Sequence, residues 1–258
     1  MFGKNPLRKV EKGDGRSLTV HSIFGTIQGE GPFSGRPAIF VRLAGCNLAC
    51  YFCDTEFEND AKVMTLEELH AAIDVARLTV HTSLVVLTGG EPMRQPIGDF
   101  VRESLRRGLD VQIETAGTVW PDGLDPMLFA QKPGAPYASI VCSPKTGKVH
   151  ATIQVICDDW KYIVSVGDAD PDDGLPVLST QREGEANRIF RPKRYPTTTI
   201  WLQPKDEYDF GDSFTNPGGQ WSCPNEERTA ANMHHAARVA MQFGYRVTLQ
   251  THKILSLP

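Results

Sequence analysis

The sequence lacks three features, and each absence excludes a class of protein. No apolar run in the 258 residues approaches the roughly 20 that a membrane-spanning helix needs, so no membrane partner is expected. The 27 Lys and Arg residues form no basic block and face 31 Asp and Glu, so direct nucleic-acid binding is not expected. Residues 1–17 lack the apolar core and cleavage site of a secretory signal, and a polar, partly disordered leader is expected there.

Cysteine is also scarce. Six cysteines are too few for a disulfide scaffold in a chain of this length, which favours a cytoplasmic protein with reduced thiols. Cys142, Cys157 and Cys223 lack close spacing, so they are expected to be isolated thiols and not ligands of a second cluster. The other three lie within eight positions, 46 to 53, and such a group of reduced thiols is typical of a metal site.

Strand-like and helix-like runs alternate along the chain, which predicts a mostly parallel sheet, either open or curled into a partial barrel. The predicted strands are 18–24, 38–45, 83–90, 111–117, 139–145, 161–166, 198–204 and 246–253. The predicted helices are 65–78, 97–108 and 225–243. In parallel α/β folds, sites assemble at the carboxyl ends of strands, and several polar motifs follow predicted strands here: GGEP, ETAG, SPK, LQP and QTHK.

The helix predictions include the faces that would be buried. Thr65 and Glu68 have the spacing of a capping box at the start of the first helix. Its predicted apolar face consists of Leu66, Leu69, Ile73 and Ala76. The predicted apolar face of the last helix consists of Met233, Ala237, Ala240 and Met241. Two polar segments, near 167–197 and 205–224, are interpreted as inserted surface connections and not as lids.

The clustered cysteines have the spacing C-x-x-x-C-x-x-C: Cys46, Cys50 and Cys53. Three thiolates on one tight loop can bind three irons of a 4Fe–4S cluster and leave the fourth iron open to another ligand. A structural zinc site normally completes four protein ligands with Cys or His, and the nearest downstream histidines, His70 and His81, pair with none of the cysteines. Thiolate ligands alone do not distinguish the two metals, so the spacing favours a cluster and leaves zinc as an alternative.

The aromatic residue before the last cysteine, Phe52, makes this motif resemble the cluster-binding motif of the radical S-adenosylmethionine superfamily. Residues 88–92, TGGEP, resemble the motif with which those enzymes bind the methionine amino group, here through Gly90 and Glu91. A glycine pair at a strand end lets the backbone come close to a ligand. The resemblance implies that S-adenosylmethionine chelates the open iron and is cleaved by electron transfer to methionine and a 5′-deoxyadenosyl radical.

Longer blocks resemble one family of this superfamily, the 7-carboxy-7-deazaguanine synthases of the queuosine pathway. These blocks are FGTIQGEGP (24–32), GRPAIFVR (35–42), GCNLACYFCDT (45–55), TGGEP, ETAG, SPK, Gln203-Pro204 and THK (251–253). The resemblance implies an incomplete, modified (β/α) TIM-like barrel of the radical S-adenosylmethionine type, formed as a single domain by residues 18–258. The two polar insertions are departures from the compact family pattern.

The resemblance also implies a reaction. A carbon–nitrogen lyase of this family converts 6-carboxy-5,6,7,8-tetrahydropterin to 7-carboxy-7-deazaguanine. The radical removes hydrogen from C6, the ring contracts, ammonia is lost and the hydrogen returns, so no side chain is expected to be catalytic by itself. The implied cofactors are the 4Fe–4S cluster, S-adenosylmethionine and Mg²⁺. The implied partners are a low-potential electron donor such as a flavodoxin and a second copy in a homodimer.

The family's site residues map onto three groups in this chain besides the cluster ligands. The implied S-adenosylmethionine contacts are Phe52, Cys53, Asp54, Gly90, Glu91, Glu114, Ser143, Pro144, Lys145 and Gln203. The implied substrate contacts are Ile27, Gln28, Gly29, Arg42, Thr88, His252 and Pro258. Arg42 suits the substrate carboxylate because a guanidinium binds it in a bidentate manner. Thr55 matches the Mg²⁺ ligand, and Asp54 ranks second as a source of the oxygen that Mg²⁺ prefers.

Two rival functions remain open from the residues. A glycyl-radical activase shares the cysteine spacing, but it must admit a protein loop, whereas the glycine loop at 27–31, Arg42 and Thr55 suit a small anionic substrate. The rival of a different class is a non-catalytic module with a structural zinc site. Metal content and S-adenosylmethionine cleavage distinguish it from a radical enzyme.

Overall fold

The computed structural model describes residues 5–53, 55–181, 188–193, 197–211 and 221–258. The strands in chain order are β1 (Ser17–Ile27), β2 (Pro37–Leu43), β3 (Lys62–Thr65), β4 (Leu84–Gly89), β5 (Asp110–Thr115), β6 (Ala138–Cys142), β7 (Asp159–Val164), β8 (Thr199–Pro204), β9 (Tyr208–Gly211), β10 (Trp221–Pro224) and β11 (Arg246–Val247). The helices are α1 (Leu66–Ala76), α2 (Gly98–Arg106), α3 (Ala151–Ile156), α4 (Glu226–Phe243) and α5 (Thr251–Ile254). None of these helices is both long and apolar enough to cross a bilayer.

One sheet of nine strands forms the centre of the fold, in the order β11-β8-β7-β6-β5-β4-β2-β1-β3. Neighbours from β2 through to β11 are parallel, whereas β1 and β3 are added antiparallel at one edge. Among the described residues, the edge strands β3 and β11 do not pair with each other, so the sheet stays open. The predicted mostly parallel sheet of an incomplete (β/α) barrel is therefore confirmed.

The core forms where parallel strands are covered on both faces. The β4 positions from Leu84 to Leu87 are fully buried in succession, which is typical of such strands. Helix α1 begins at the predicted capping box, in which the Glu68 N–H donates to Thr65 Oγ1 (3.2 Å) and the Thr65 N–H donates to Glu68 Oε2 (2.8 Å). Leu69 and Ile73 of α1 are fully buried, which confirms the predicted apolar face.

The apolar face predicted for α4 is confirmed at Ala240 and wrong at its two methionines. Met233 and Met241 are exposed, and the residues of α4 that are buried are Asn232, Ala236, Val239 and Ala240. The reason is a polar side chain on the inward face. The side chain of Asn232 accepts from the Val166 N–H (2.9 Å) and donates to the Lys205 carbonyl oxygen (2.9 Å), so this face satisfies the backbone after β7 and β8.

The strand predicted over 246–253 is also wrong beyond its first residues. Pairing with β8 involves only Arg246 and Val247, and the chain turns into α5 at Thr251. The Thr248 N–H donates to the Leu202 carbonyl oxygen (2.9 Å), which is the last backbone bond to β8. The Thr248 hydroxyl accepts from the Gly31 N–H (3.0 Å). This contact directs the chain toward the loop at 28–31 and away from the sheet.

The polar insertion after β7 packs against the domain where it is described. Leu175, Ser179, Thr180 and Ile189 are buried. The interpretation of this segment as a surface connection is therefore wrong for these residues. In the second insertion, β9 and β10 pair antiparallel, and residues 212–220 lie outside the described ranges.

Candidate active site

A cavity of about 880 Å³ opens at the carboxyl ends of the parallel strands. Its walls are formed by residues from the ends of β2, β4, β5, β6, β7 and β8, together with the loop after β2 and residues 250–253. The polar motifs that follow the predicted strands are therefore brought to one edge of the sheet, as expected for a parallel fold.

The three clustered cysteines lie in the loop after β2, and their thiols are reduced and half-buried. Within the described ranges, no three His, Cys, Asp or Glu side chains are close enough to bind one metal ion. A 4Fe–4S cluster would bind each thiolate through a different iron, so the three sulfurs need not meet at one metal ion. Burial, followed by the charge of Glu91, raises the pKa of Cys46 to about 12, which favours the neutral thiol as long as no cation is bound.

The GGEP turn after β4 packs directly beneath the cysteine loop. The Gly90 N–H donates to the Leu43 carbonyl oxygen (3.2 Å), and the Glu91 N–H donates to the Gly45 carbonyl oxygen (3.0 Å). A Cβ atom at Gly90 would overlap the Gly45 carbonyl and come within 3.0 Å of Cys46 Cβ. Gly45 itself has a φ of +81°, a conformation that favours glycine. The two glycines thus allow the backbone of the GGEP turn to contact the backbone of the cysteine loop, which a side chain at Gly90 would prevent.

Glu91 is fully buried and already holds the neighbouring turn. One carboxylate oxygen accepts from Thr115 Oγ1 (2.7 Å) and the Met93 N–H (3.0 Å), and the other accepts from the Ala116 N–H (2.7 Å). Burial raises the pKa of Glu91 although these three donors lower it. The geometry gives Glu91 a positioning role, since it connects the turn after β4 to the end of β5.

Arg94 supports the cysteine loop from the other side. Its guanidinium is buried and donates to the Ala44 carbonyl oxygen (2.9 Å) and the Lys9 carbonyl oxygen (2.9 Å). It also forms an ion pair with Glu11 (2.8 Å). The first described residues therefore pack on the loop, and the Asn5 amide donates to the Thr55 carbonyl oxygen (2.9 Å).

The predicted substrate residue Gln28 belongs to a buried polar network at the base of the cavity. The Gln28 amide donates to Gln112 Oε1 (3.0 Å) and Glu114 Oε1 (3.0 Å). The hydroxyl of Thr88 donates to the other oxygen of Glu114 (3.2 Å). Gln28 and Thr88, predicted to bind substrate, thus share Glu114, which was predicted to bind S-adenosylmethionine. Arg42 lines the same cavity, and its guanidinium lies over the Phe24 ring at 5.3 Å.

A buried ion pair that the sequence did not reveal lies in the cavity wall. Lys161 of β7 is paired with Glu30, and the Gln250 amide donates to Glu30 (3.0 Å). Burial alone would raise the pKa of Glu30, but Lys161 and Gln250 outweigh it and hold the pKa below its usual value. Lys161 and Glu30 are far apart in sequence, and no local pattern predicts their pairing.

Lys145 is an ammonium group in the cavity wall without a carboxylate within ion-pair distance among the described residues. It donates to the carbonyl oxygen (3.0 Å) and the hydroxyl of Ser143. Burial lowers the pKa of Lys145, with Lys161 adding to the effect. An anionic ligand in this part of the cavity would stabilise the charged form of Lys145 against both burial and the charge of Lys161.

Two predicted ligand contacts have buried polar atoms for which the described part of the chain offers no hydrogen-bond partner. They are Gln203 Oε1 at the end of β8 and His252 Nδ1 in α5. Both residues line the cavity. Buried polar groups are normally paired, so these two atoms fit a site that is completed by a ligand. Burial lowers the pKa of His252, which favours the neutral ring.

The structure brings most of the predicted site residues into one cavity wall. Those that line it are Cys46, Cys50, Cys53, Phe52, Thr55, Arg42, Thr88, Gly90, Glu114, Ser143, Lys145, Gln203 and His252. Those that do not line it are Ile27, Gln28, Gly29, Glu91, Pro144 and Pro258. Asp54 lies outside the described residues. The carbonyl oxygen of Pro258 accepts from the Thr26 hydroxyl (2.9 Å), so the last described residue lies beside β1.

The open parallel sheet and the cysteine loop at its carboxyl edge define a radical S-adenosylmethionine protein. A family model described as the Radical SAM superfamily matches residues 41–132. The cofactors of this class are a 4Fe–4S cluster and S-adenosylmethionine. The three thiols of the cysteine loop fit the cluster, and the glycine turn after β4 leaves room for a ligand beside it.

Similarity over the whole chain identifies the family. The chain is 47% identical over 257 residues to the 7-carboxy-7-deazaguanine synthase of Rhodospirillum rubrum, covering all of both chains. It is 38% identical over 268 residues to the synthase of Rickettsia prowazekii, covering all of this chain and 96% of that one. The chain belongs to the 7-carboxy-7-deazaguanine synthase family.

A solved structure independently supports the fold. The crystal structure of QueE from Escherichia coli superposes with a TM-score of 0.57 at 20% sequence identity. The superposition covers 90% of this chain and 93% of that chain. At this identity the likeness supports the architecture alone.

Proposed function

We propose that this chain converts 6-carboxy-5,6,7,8-tetrahydropterin to 7-carboxy-7-deazaguanine and ammonia, as a carbon–nitrogen lyase. The observation that carries the proposal is that the cysteine loop and Arg42 open on one cavity, in a chain related over its full length to synthases of that name. Product and ammonia together contain all the atoms of the substrate, so no net oxidant is needed. One domain formed by residues 18–258 carries the activity.

At the substrate end, Arg42 binds the pterin carboxylate in a bidentate manner. Its position over Phe24 restricts the guanidinium, so less freedom is lost when the carboxylate binds. Thr88 is held by Glu114 and orients the ring, while Gln28 holds Glu114 from behind the cavity wall. His252, which lines the cavity, hydrogen-bonds the polar edge of the ring. These residues fix C6 of the substrate in one orientation.

At the cofactor end, Cys46, Cys50 and Cys53 hold the cluster. When bound, the cluster and S-adenosylmethionine supply reductive cleavage to a radical that abstracts hydrogen. Lys145 and Ser143 bind the anionic methionine end, and Gln203 accepts a hydrogen bond through its open Oε1.

Thr55 is proposed as the Mg²⁺ ligand, with Asp54 as the alternative. Mg²⁺ usually keeps several waters and needs few protein ligands, so one side-chain oxygen near the substrate carboxylate suffices. Thr55 lines the cavity two residues after Cys53.

A low-potential donor of the flavodoxin type and a homodimer are proposed as partners, and a cytoplasmic location is proposed with them. These rest on the family, because reductive cleavage needs an external electron and cytoplasmic conditions keep the cysteines reduced.

The test is an anaerobic assay of the reduced, reconstituted protein with 6-carboxytetrahydropterin, S-adenosylmethionine and Mg²⁺. Formation of 7-carboxy-7-deazaguanine and ammonia in equal amounts is expected. Cys50→Ala is the matched control, because loss of one cluster ligand is expected to abolish the product. A reconstituted protein with a full cluster that cleaves S-adenosylmethionine but forms no deazaguanine would contradict the proposal.

A further inference from the structure

Thr180 and Gln181 lie in the polar insertion between β7 and β8, yet they contact the cysteine loop. The Tyr51 N–H donates to the Thr180 carbonyl oxygen (3.0 Å), and the Ala49 N–H donates to Gln181 Oε1 (3.1 Å). The Thr180 N–H in turn donates to the Lys145 carbonyl oxygen (3.2 Å). Backbone contacts thus place Thr180 at the loop independently of what its side chain binds, and the side chain of Gln181 adds a further contact with the loop.

Both side chains reach the same sulfur. Thr180 Oγ1 lies 3.0 Å from Cys50 Sγ, and the Gln181 amide nitrogen lies 3.5 Å from it. Because Gln181 Oε1 accepts from the Ala49 N–H, its nitrogen is the atom that faces Cys50. When Cys50 is a thiolate, it can only accept, so both groups donate to the sulfur.

The Thr180 hydroxyl has one proton and two acceptors in reach. The Lys145 carbonyl oxygen lies at 3.3 Å, which is longer than the contact with Cys50. A bond to an ionised acceptor is about twice as strong as a neutral one, so the thiolate takes the proton. The Gln181 amide also donates to Thr180 Oγ1 (3.1 Å), which turns the hydroxyl proton away from Gln181.

The other two cysteines have a different environment. Cys46 Sγ accepts from the Leu48 N–H (3.4 Å), and Cys53 Sγ lies 3.7 Å from the Asn5 amide. Among the described residues, Cys50 has two side-chain donors, and both come from the insertion. Donors to a ligand sulfur stabilise the reduced cluster, which carries the additional negative charge, and so raise its reduction potential.

We propose that Thr180 and Gln181 are positioning residues that hydrogen-bond the Cys50 thiolate of the bound cluster and raise the cluster's reduction potential. The insertion thereby helps to set the ease with which the cluster accepts an electron. This inference rests on the cluster of the proposed function.

The test measures the midpoint potential of the reconstituted cluster by anaerobic titration followed by electron paramagnetic resonance. Thr180→Val keeps the shape of the side chain and removes the hydroxyl, and Gln181→Leu removes the amide. Each is expected to shift the potential to more negative values, and the double variant to shift it further. Matched controls on the surface are Thr79→Val and Gln154→Leu, whose potentials are expected to equal that of the unmodified protein.

Thr180→Ser separates the hydrogen bond from packing, because it keeps the hydroxyl, and it is expected to keep the original potential. If Thr180→Val fails to assemble a cluster and Thr180→Ser assembles one at the original potential, the hydroxyl contact is supported. Unchanged potentials at full iron content, or equal shifts in the Val and Ser variants, would overturn the inference. Failure of the unmodified protein to form a cluster would instead overturn the proposed function.

Discussion

The buried ion pair between Glu30 and Lys161 offers a direct test of how the cavity wall is stabilised. Both side chains are about nine-tenths buried, with 9% and 10% of their surface exposed. Lys161→Met keeps the length of the side chain and removes its charge, which leaves the Glu30 carboxylate without its cation. Glu30→Gln removes the other charge and keeps the shape.

Removal of one partner from a buried ion pair typically costs about 3–5 kcal/mol. Two features put the loss in Lys161→Met near the lower end, at about 3 kcal/mol. The Gln250 amide still donates to Glu30 at 3.0 Å, and the pair borders the cavity, where water can reach the carboxylate. The double variant contains no unpaired charge, so it is expected to lose less, about 1–2 kcal/mol for the missing hydrogen bonds.

The assay is urea unfolding of the native protein and the three variants, with the free energy of unfolding extrapolated to water. The expected result is that the double variant is more stable than either single variant. If the losses of the single variants simply add in the double variant, the two charges are not coupled and the reasoning is refuted.

The pH dependence of Lys161→Met has a defined sign. The pKa of Glu30 is lower in the folded state than in the unfolded state, where it is about 4.3. This difference stabilises the folded protein at pH values above about 4.3. That contribution is lost as the pH falls through the folded-state pKa. Without Lys161, burial raises the pKa of Glu30, and the carboxyl protonates at a higher pH. The stability difference between the native protein and Lys161→Met should therefore shrink from pH 7 toward about pH 4.

Three further predictions concern the cavity and its loops. Arg42→Ala should weaken substrate binding about tenfold to a hundredfold and leave cluster content unchanged, since a charged hydrogen bond contributes about 1.5–3 kcal/mol; an unchanged Kd in calorimetry would disprove the carboxylate assignment. Gly90→Ala should cost about 1–3 kcal/mol and lower iron retention, because the new Cβ overlaps Gly45. Gly13→Ala, whose Cβ meets an atom only at 3.4 Å, should change neither measurement. Thr55→Val should raise the Mg²⁺ concentration needed for half-maximal activity by about tenfold, the equivalent of about 1.4 kcal/mol; an unchanged requirement would favour Asp54.

Local sequence patterns predicted the parts of the fold that depend on neighbours in the chain. The capping box at Thr65 and the buried face with Leu69 and Ile73 need only a spacing of three or four residues, and both were confirmed. The face of α4 was predicted only in part, because Asn232, although polar, is turned inward by backbone groups from two other segments. Hydrophobic periodicity within one helix contains no information about hydrogen-bond partners in distant segments.

The same distinction applies to the candidate site. Motifs at strand ends located the cysteines, the glycine turn and Arg42, because a parallel sheet brings such ends together. The pairing of Glu30 with Lys161 spans 131 positions, and the contact of Thr180 with Cys50 spans 130. Neither Thr180 nor Gln181 lies in a sequence motif that predicts contact with a cysteine, so this contact could be found only from the folded structure.

The long separation between Cys50 and Thr180 has a consequence for how the protein is made. At a synthesis rate of about 5–20 residues per second, Thr180 follows Cys50 out of the ribosome by roughly 6 to 26 seconds. During that interval the nascent cysteine loop has neither the Thr180 nor the Gln181 side chain against it. The two side-chain hydrogen bonds to Cys50 therefore form only after the chain has been synthesised as far as the insertion, so a cluster assembled earlier would lack them.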